Sequence, residues 1–422
     1  MSKAKIGVVS PAQSENDQGM LTIADALERI LAKTPLLRPS EVPLQAGLGG
    51  FLAQPMQAHL SLPRFDQSSM DGYAIAAGSC GTTGNRSRLQ VISEVAAGSE
   101  ATVPVCDGQA VRVFTGAPVP QGTAAVVMQE DVTAHSDGTI TIDIPAEPGE
   151  FIRRAGADVC AGQCIAEAGQ RITPALLAVL ATQGWANVTV GGIPKVGILS
   201  TGDELVPLGA PLPSSACIYN SNGPMLEALV ASSGGECVRV EHGRDDLADL
   251  SECLRELSNQ CDVVIVSGGV SVGDHDHVRP AMQAAGYEMD FWKVRMKPGK
   301  PLAFGVDPTR SRLAFGLPGN PVSAFVTFWL FVFPALRRMM GATGADLRLP
   351  VVSVSAAAEI HNKGDRAHWF RGRITGAHFE PLGLQESHAL FSLSKANALV
   401  CVDPEHSVPA GASVDAHLLP WQ

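Results

Sequence analysis

The chain has 422 residues, a net charge of −11, 45% hydrophobic residues and 17% charged residues. That length exceeds one ordinary core and implies about two to four domains, and the composition excludes a largely disordered chain. The acidic balance argues against a general nucleic-acid or anionic-membrane surface, since both need a basic field, but it leaves room for an anionic ligand in a local basic pocket.

In chain order, the opening "MSKAKIGVVSPAQSENDQGM" has no long apolar segment of the secretory kind, so a cytoplasmic protein is expected. "LTIADALERILAK" reads as an amphipathic helix, with Thr22 as its cap and Ile23, Leu27, Ile30 and Leu31 on one face. From about residue 85 to 150, short β-rich runs ("RLQVISEV", "AVRVF", "AAVVMQ", "TITIDI") alternate with Gly, Pro and Asp-Gly turns, the pattern of a small all-β domain. The nine cysteines are scattered. Cys160 and Cys164 would share a face if their segment were helical, but no second Cys or His pair completes a zinc site, and incidental packing is the expectation.

After Ile193 strands and helices alternate: "PKVGILS", "GPMLEALVASSG", "ECVRVE", "LADLSECLRELSNQ", "CDVVIVS", "VRPAMQAAG" and "RLAFGL". Such alternation predicts a doubly wound, mostly parallel sheet with helices on both faces. "VSAFVTFWLFVFPAL", the longest apolar run, is shorter than the roughly 20 residues of a membrane span. Asn320 and Pro321 precede it as an N-cap and N1 pair, and Arg337 and Arg338 follow, so it reads as a buried helix. "VVSVSAAAEI" and "RGRITGAHFE" then return to β patterns, implying a C-terminal β domain.

Polar residues collect where the predicted strands end. "STGDE", "GRDD" and "SGGVSVGDHD" follow three of them, and "KPGKP" and "LPGNP" occupy later loops. The carboxyl ends of an open parallel sheet form its ligand crevice. Glycines let backbone N–H groups approach a ligand, and a helix start favours an anion. Lys297 and Lys300 add positive charge, while Asp203, Glu204, Asp274 and Asp276 suit a hard cation such as Mg²⁺. Any one of these loops is as readily a tight turn; several on one edge point to a phosphorylated or oxyanionic ligand held with a divalent metal.

"SSMDGYAI", "FTGAPVPQGTAAVVMQED", "STGDEL", "SGGVSVGDHD", "MKPGKPLAFG" and "GLPGNPVSA" occur in this order. Together they resemble the MoeA-type molybdopterin molybdenumtransferases, the family that includes the gephyrin E domain, from about residue 20 to the C-terminus. The resemblance implies a multidomain α/β plus β fold: a linking domain in two segments, 20–56 and 155–193; an inserted small β domain, 57–154; an α/β molybdopterin-binding domain, 194–343; and a C-terminal β domain, 344–422. It also implies a homodimer, with the active site between one subunit's α/β and C-terminal domains and the other subunit's small inserted domain. The implied reaction inserts molybdate into adenylylated molybdopterin, releases AMP and leaves the metal on the dithiolene sulfurs. Tungstate, nearly equal in size and charge, remains open as an alternative to molybdate.

Carried onto matching positions, the resemblance assigns catalytic roles to Asp71, Thr115, Asp158, Glu204, Asp276, Lys297 and Lys300. Substrate contacts fall on Thr201, Gly202, Ser267, Gly268, Gly269, Ser271, Pro318, Gly319, Asn320 and Pro321. Arg366 and Ser387 match anion-binding positions, with Arg371 as a neighbouring alternative, and Asp203, Glu204 and Asp276 are the carboxylates for Mg²⁺. Relatives vary at His275 and His277 and keep a carboxylate at Asp276, so the histidines are expected to be bystanders. Gly50, Ala157 and Glu386 depart from the family pattern. Two other functions compete: a molybdopterin adenylyltransferase, which shares the α/β fold but lacks the "MDGY" and "TGAPVP" blocks, and a non-catalytic pterin-binding scaffold.

Overall fold

A computed structural model describes residues 20–82, 88–270 and 277–421. The chain forms two compact units. One comprises residues 55–167 and 175–185, and the other holds the remaining described residues.

The smaller unit is built on a six-stranded sheet in the order Ala125–Met128, Gly72–Ile75, Gln109–Val113, Arg88–Val95, Thr139–Ile142, Val132–Ala134. All but one of its pairings are antiparallel. The short alternating runs therefore form the strands expected of them. Gly72, on the second strand, admits no side chain, because a Cβ there would lie 2.0 Å from the Val127 carbonyl oxygen of the edge strand. Cys160 and Cys164 share no helix: Cys164 begins the strand Cys164–Ala166, and the glycine-rich segment before it turns instead of coiling.

In the larger unit, α1 (Ile23–Lys33) is capped as expected, with Thr22 accepting the Asp25 N–H and burying Ala26, Leu27 and Ile30. The central sheet uses β1 (Lys195–Thr201), β2 (Glu236–Gly243), β3 (Val263–Ser267), β4 (Glu288–Lys293), β6 (Pro301–Asp307) and β7 (Arg312–Leu317), in the order β2-β1-β3-β7-β6-β4; β5 (Met296–Lys297) lies in the loop between β4 and β6. β2, β1, β3 and β7 run parallel. β6 and β4 are antiparallel, so the sheet is mixed. The connections on either side of β6 are too short for a crossover helix, and strands so joined can pair only antiparallel.

Alternation along β3 sends Val263 and Ile265 into one core and Val264 and Val266 into another. α2 (Asn222–Ser232) contributes Leu226, Leu229 and Val230 to the first core. α3 (Leu247–Gln260) and α4 (Val278–Ala284) supply Leu250, Leu254 and Met282 to the second. Burial on both faces explains the continuous apolar strand "VVIVS".

The long apolar run is helical from Pro321 to Met339: α5 (Pro321–Thr327), a π-helical turn (Phe328–Val332) and α6 (Phe333–Met339). By length and composition it could cross a membrane, but 83% of it is buried inside the protein, as a core helix would be. Asn320 occupies the N-cap position without making the expected side-chain cap bond. Beyond it, β8 (Val351–Ala356), β9 (Ala367–Thr375), β10 (His378–Pro381), β11 (Ala398–Val402) and β12 (Ser413–Leu418) close into a barrel, because β9 pairs with both β10 and β11. β5 adds to β9 on the outside of this circuit.

Candidate active site

Three parallel strands end at one level. Ser200 of β1 lies beside Ser267 of β3, and Ser267 beside Leu317 of β7. The chain leaves them through Gly202, Gly268 and Gly319, whose loops border a cleft of about 670 Å³. Gly268 has φ +102°, and a Cβ on it would meet the Thr201 carbonyl oxygen at 2.3 Å. Gly269 has φ +61°, and its Cβ would lie 2.8 Å from Val278. Neither position admits a side chain, and the bare backbone faces the cleft. Asn222, at the start of α2, donates its amide to Ser267 Oγ and to the Gly319 carbonyl, both at 2.8 Å. Its Oδ1 is buried without a hydrogen-bond partner among the described residues. Asn320 and Pro321 line the same cleft, and Pro318 belongs to their loop.

Carboxylates border one side. Glu204 lines the cleft and folds back over Gly202, whose added Cβ would come within 2.7 Å of its Oε2. Asp203 Oδ1 accepts the Asp245 N–H at 3.3 Å, and Asp245 in turn accepts the Thr201 hydroxyl. His242 Nε2 lies 2.9 Å from the Gly202 carbonyl, which can only accept, so the ring donates there. Asp245 was not among the expected site residues. Its signal was "GRDD", one more polar loop on the same sheet edge. Among the described residues no group of three His, Cys, Asp or Glu side chains converges as a ready-made metal cage. Ser271, Asp274, His275 and Asp276 lie outside the described residues.

Cations gather on the loop between β4 and β6. The Val294 N–H donates to the Lys300 carbonyl at 3.0 Å, closing the loop, and Lys293 pairs with Pro301 at its base. Lys293 Nζ sits 3.5 Å from the Trp292 ring centre, and the Arg279 guanidinium is 4.0 Å from that centre. Partial burial, then the Lys300 and Arg279 charges, hold Lys293 below the usual lysine range. Lys293 was also missed, although "FWK" directly precedes the basic motif. Lys297 lies on β5 beside His368 of β9, and Arg366 donates to the Met296 carbonyl at 3.4 Å.

Arg371 is fully buried and donates Nη2 to the carbonyls of Leu384 (2.6 Å) and Glu386 (3.3 Å). The next residue, Ser387, accepts the Val322 N–H of α5 at its carbonyl, 3.2 Å away, which brings its loop to the start of that helix. Glu386 is exposed, so its departure places a carboxylate in solvent.

In the smaller unit, Asp71 Oδ1 accepts both the backbone N–H (2.7 Å) and the hydroxyl (2.8 Å) of Thr115. These bonds hold the Asp71 carboxyl below the ordinary range. Asp158 and Ala157 line a cavity of about 790 Å³ with Arg64, Phe65, Arg153 and Arg154; neither Asp71 nor Thr115 lines it. Gly50, in the larger unit, is tightly enclosed: an added Cβ would lie 3.1 Å from the Gly47 carbonyl oxygen and 3.4 Å from the Val190 side chain.

A mixed sheet with glycine loops at its strand ends, lysines on one loop and carboxylates on another defines an α/β protein with a ligand crevice at the carboxyl ends of its parallel strands. The chain belongs to the MoeA family of molybdopterin molybdenumtransferases. Residues 21–184 match the MoeA N-terminal region (domain I and II), 197–338 the probable molybdopterin binding domain, and 353–419 the MoeA C-terminal region (domain IV). The molybdopterin molybdenumtransferase of Haemophilus influenzae is 35% identical over 402 residues, 94% of this chain and 98% of the relative. That of Nostoc sp. is 36% identical over 368 residues, 85% of this chain and 83% of the relative. The molybdopterin biosynthesis moeA protein of Pyrococcus horikoshii OT3 superposes with a TM-score of 0.82 at 28% identity, covering 95% of this chain and 100% of that one.

Proposed function

We propose that this chain inserts molybdate into adenylylated molybdopterin and releases AMP. The observation that carries this reading is the cleft at the ends of β1, β3 and β7, where Gly268 and Gly269 leave backbone open to a phosphate and Asn222 locks the facing loops. Its dimensions suit a pterin or nucleotide ring. Lys297, Lys300 and Arg366 are donors for molybdate, whose oxygens only accept; Ser387 adds a hydroxyl.

Mg²⁺ fits the acidic border, because it commonly binds through one or two carboxylates, waters and substrate phosphates and needs no closed protein cage. Glu204 and Asp203 would hold it, with Asp276 as the further expected ligand. Bound there, it would neutralise charge on the phosphoanhydride that is cleaved. A homodimer belongs to the same proposal, with Asp71, Thr115 and Asp158 of a second copy completing the site. The exposed Asp71 carboxylate, pre-set in its ionised form by Thr115, supports a role at a surface that another subunit covers.

Anaerobic incubation of the purified protein with adenylylated molybdopterin, Mg²⁺ and molybdate should release AMP and yield cofactor that activates a molybdenum-free apoenzyme. Tungstate in place of molybdate tests oxyanion choice. Absence of AMP release with either oxyanion refutes the proposal, and ATP-dependent adenylylation of molybdopterin would support the adenylyltransferase reading instead.

A further inference from the structure

β5 runs parallel to β9 with Met296 beside Ala367 and Lys297 beside His368. Residues paired across neighbouring strands carry their side chains on one face, so Lys297 and His368 share one. Arg366, in the bend just before β9, reaches the Met296 carbonyl at 3.4 Å beside them. His368 is only 5% exposed, yet its Nε2 has no hydrogen-bond partner among the described residues. A buried polar atom left unpaired is costly, so a ring left this way beside cations points to an external partner.

Cations dominate the ring's surroundings. Lys297 approaches from β5, Arg371 from β9, and Arg366 from the bend before β9, where the exposed Asp365 carboxylate lies 3.4 Å from its Nε. On the neighbouring strand β11, His368 pairs with Val402, which is flanked by Cys401 and Asp403. Asn362 spends its amide on the carbonyls of Arg366, Val402 and Asp403, and Phe370 stacks on the imidazole at 4.0 Å. Burial first, then the charges of Lys297, Arg371 and Arg366, bring His368 down to about 4, so the ring is neutral at neutral pH.

We infer that His368 is an anion-binding residue of the oxyanion site: its unpaired Nε2 meets the anion held by Lys297 and Arg366, and the ring takes up a proton as that anion binds. This rests on the oxyanion reading proposed above. A tetrahedral dianion beside the ring offsets the positive field that adds to burial in keeping it neutral. One proton passes from solvent to the imidazole, no covalent bond changes, and both ring nitrogens become donors. Because the bound ring holds its proton more tightly than the free ring, binding strengthens as pH falls through the interval between the two values. If the anion restores an ordinary value near 6.5, molybdate binds about fourfold more tightly at pH 6 than at pH 8.

The test is calorimetry of the full chain with molybdate alone, in buffers of different ionisation enthalpy, alongside NMR titration of the histidine rings. The expected result is proton uptake at pH 6 by the native protein and an upward shift of the His368 titration when molybdate is added. His368→Gln, which keeps a donor, should bind without proton uptake and with a flat pH profile. Equal uptake in His368→Gln, or a His368 titration that molybdate leaves unmoved, overturns the inference; the native-protein titration decides even if the variant misfolds. Loss of binding in Lys297→Ala and Arg366→Ala without proton linkage at His368 rejects this inference alone. Binding indifferent to all three substitutions rejects the oxyanion site itself.

Discussion

Asn222 donates its amide to Ser267 Oγ across 2.8 Å, tying the start of α2 to the end of β3 at the level where the cleft opens. The same nitrogen reaches the Gly319 carbonyl, so one side chain sets the spacing of two loops. Asn222→Ala leaves a nearly buried hydroxyl and a carbonyl without their donor, a loss of about 1–3 kcal/mol. Urea denaturation should show that loss, and KM for adenylylated molybdopterin should rise. Asn222→Asp should fare no better, because an ionised carboxylate cannot donate to the carbonyl. Unchanged stability and KM in both variants would remove Asn222 from the site's framework.

Gly268→Ala separates backbone strain from steric conflict. The positive φ alone costs an L-residue about 1–2 kcal/mol, and the new methyl would sit 2.3 Å from a backbone oxygen that has nowhere to go. A control exists in Gly376, which has φ +60° and open space around its absent Cβ. Gly376→Ala should lose only the strain of about 1 kcal/mol. Gly268→Ala should lose at least twice as much, with ligand affinity falling too, as read by denaturant titration and calorimetry.

Thr115→Val tests the Asp71 pair. The backbone N–H of Thr115 is the largest cause of Asp71's lowered value and the hydroxyl the next, so the valine variant keeps the first and loses the second. The Asp71 titration in carboxyl NMR should move up, part of the way to the ordinary value. Asp71 is depressed in the folded state, so its bonds stabilise the fold above the unfolded carboxyl value, and that stabilisation fades as pH falls through the folded value. In Thr115→Val that stabilisation should be smaller, and its loss should be complete at a higher pH.

Much of this architecture was legible because local pattern and tertiary demand agreed. Thr22 capped its helix, "VVIVS" was apolar throughout because both faces are covered, and the alternating segments after Ile193 became the strands and helices expected. The mixed sheet was less legible. "EMDFWK" and "PLAFGVD" have strand composition, but direction is set by connection length, which periodicity does not report. At the site, residues inside recognisable motifs surfaced readily, whereas Asp245 and Lys293 did not. Each depends on distant chain: Asp245 on the Thr201 hydroxyl and the Asp203 carboxylate, Lys293 on Trp292, Arg279 and Lys300. His368 was invisible for the same reason, since its neighbour Lys297 arrives through a strand pairing between segments some seventy residues apart.

Cysteine labelling offers a check on burial. Cys106 and Cys160 are exposed, whereas burial pushes Cys261 up to about 11 and Cys401 up to about 12. Thiolate is the reactive form, so at pH 8 iodoacetamide should modify Cys106 and Cys160 and leave Cys261 and Cys401 intact until denaturant is added. Peptide mass spectrometry reads the order directly. Early modification of Cys261 would contradict its placement beneath β1 and α3, where Gly197 and Leu257 flank it.

Arg371 poses the sharpest choice between stability and function. Its guanidinium is fully buried, Nε and Nη1 have no partner among the described residues, and burial brings it down to about 10, still a cation at neutral pH. Such a group is costly to bury, and replacement by an apolar side chain of similar length is often neutral or stabilising. What the guanidinium supplies is position. Nη2 holds the Leu384 and Glu386 carbonyls, Gln385 returns its amide to the Arg371 carbonyl at 2.9 Å, and Ser387 then meets α5. Arg371→Met should therefore melt within a few degrees of the native protein while releasing the Ser387 loop. Loss of one charge-assisted hydrogen bond, about 1.5–3 kcal/mol, corresponds to at least a tenfold rise in KM for molybdate, with the pterin substrate's KM little changed. Arg371→Lys should not rescue it, because the shorter side chain stops its ammonium short of the Nη2 position and buries a more strongly hydrated charge. A large drop in Tm with unaltered KM for molybdate would instead make Arg371 a purely structural cation.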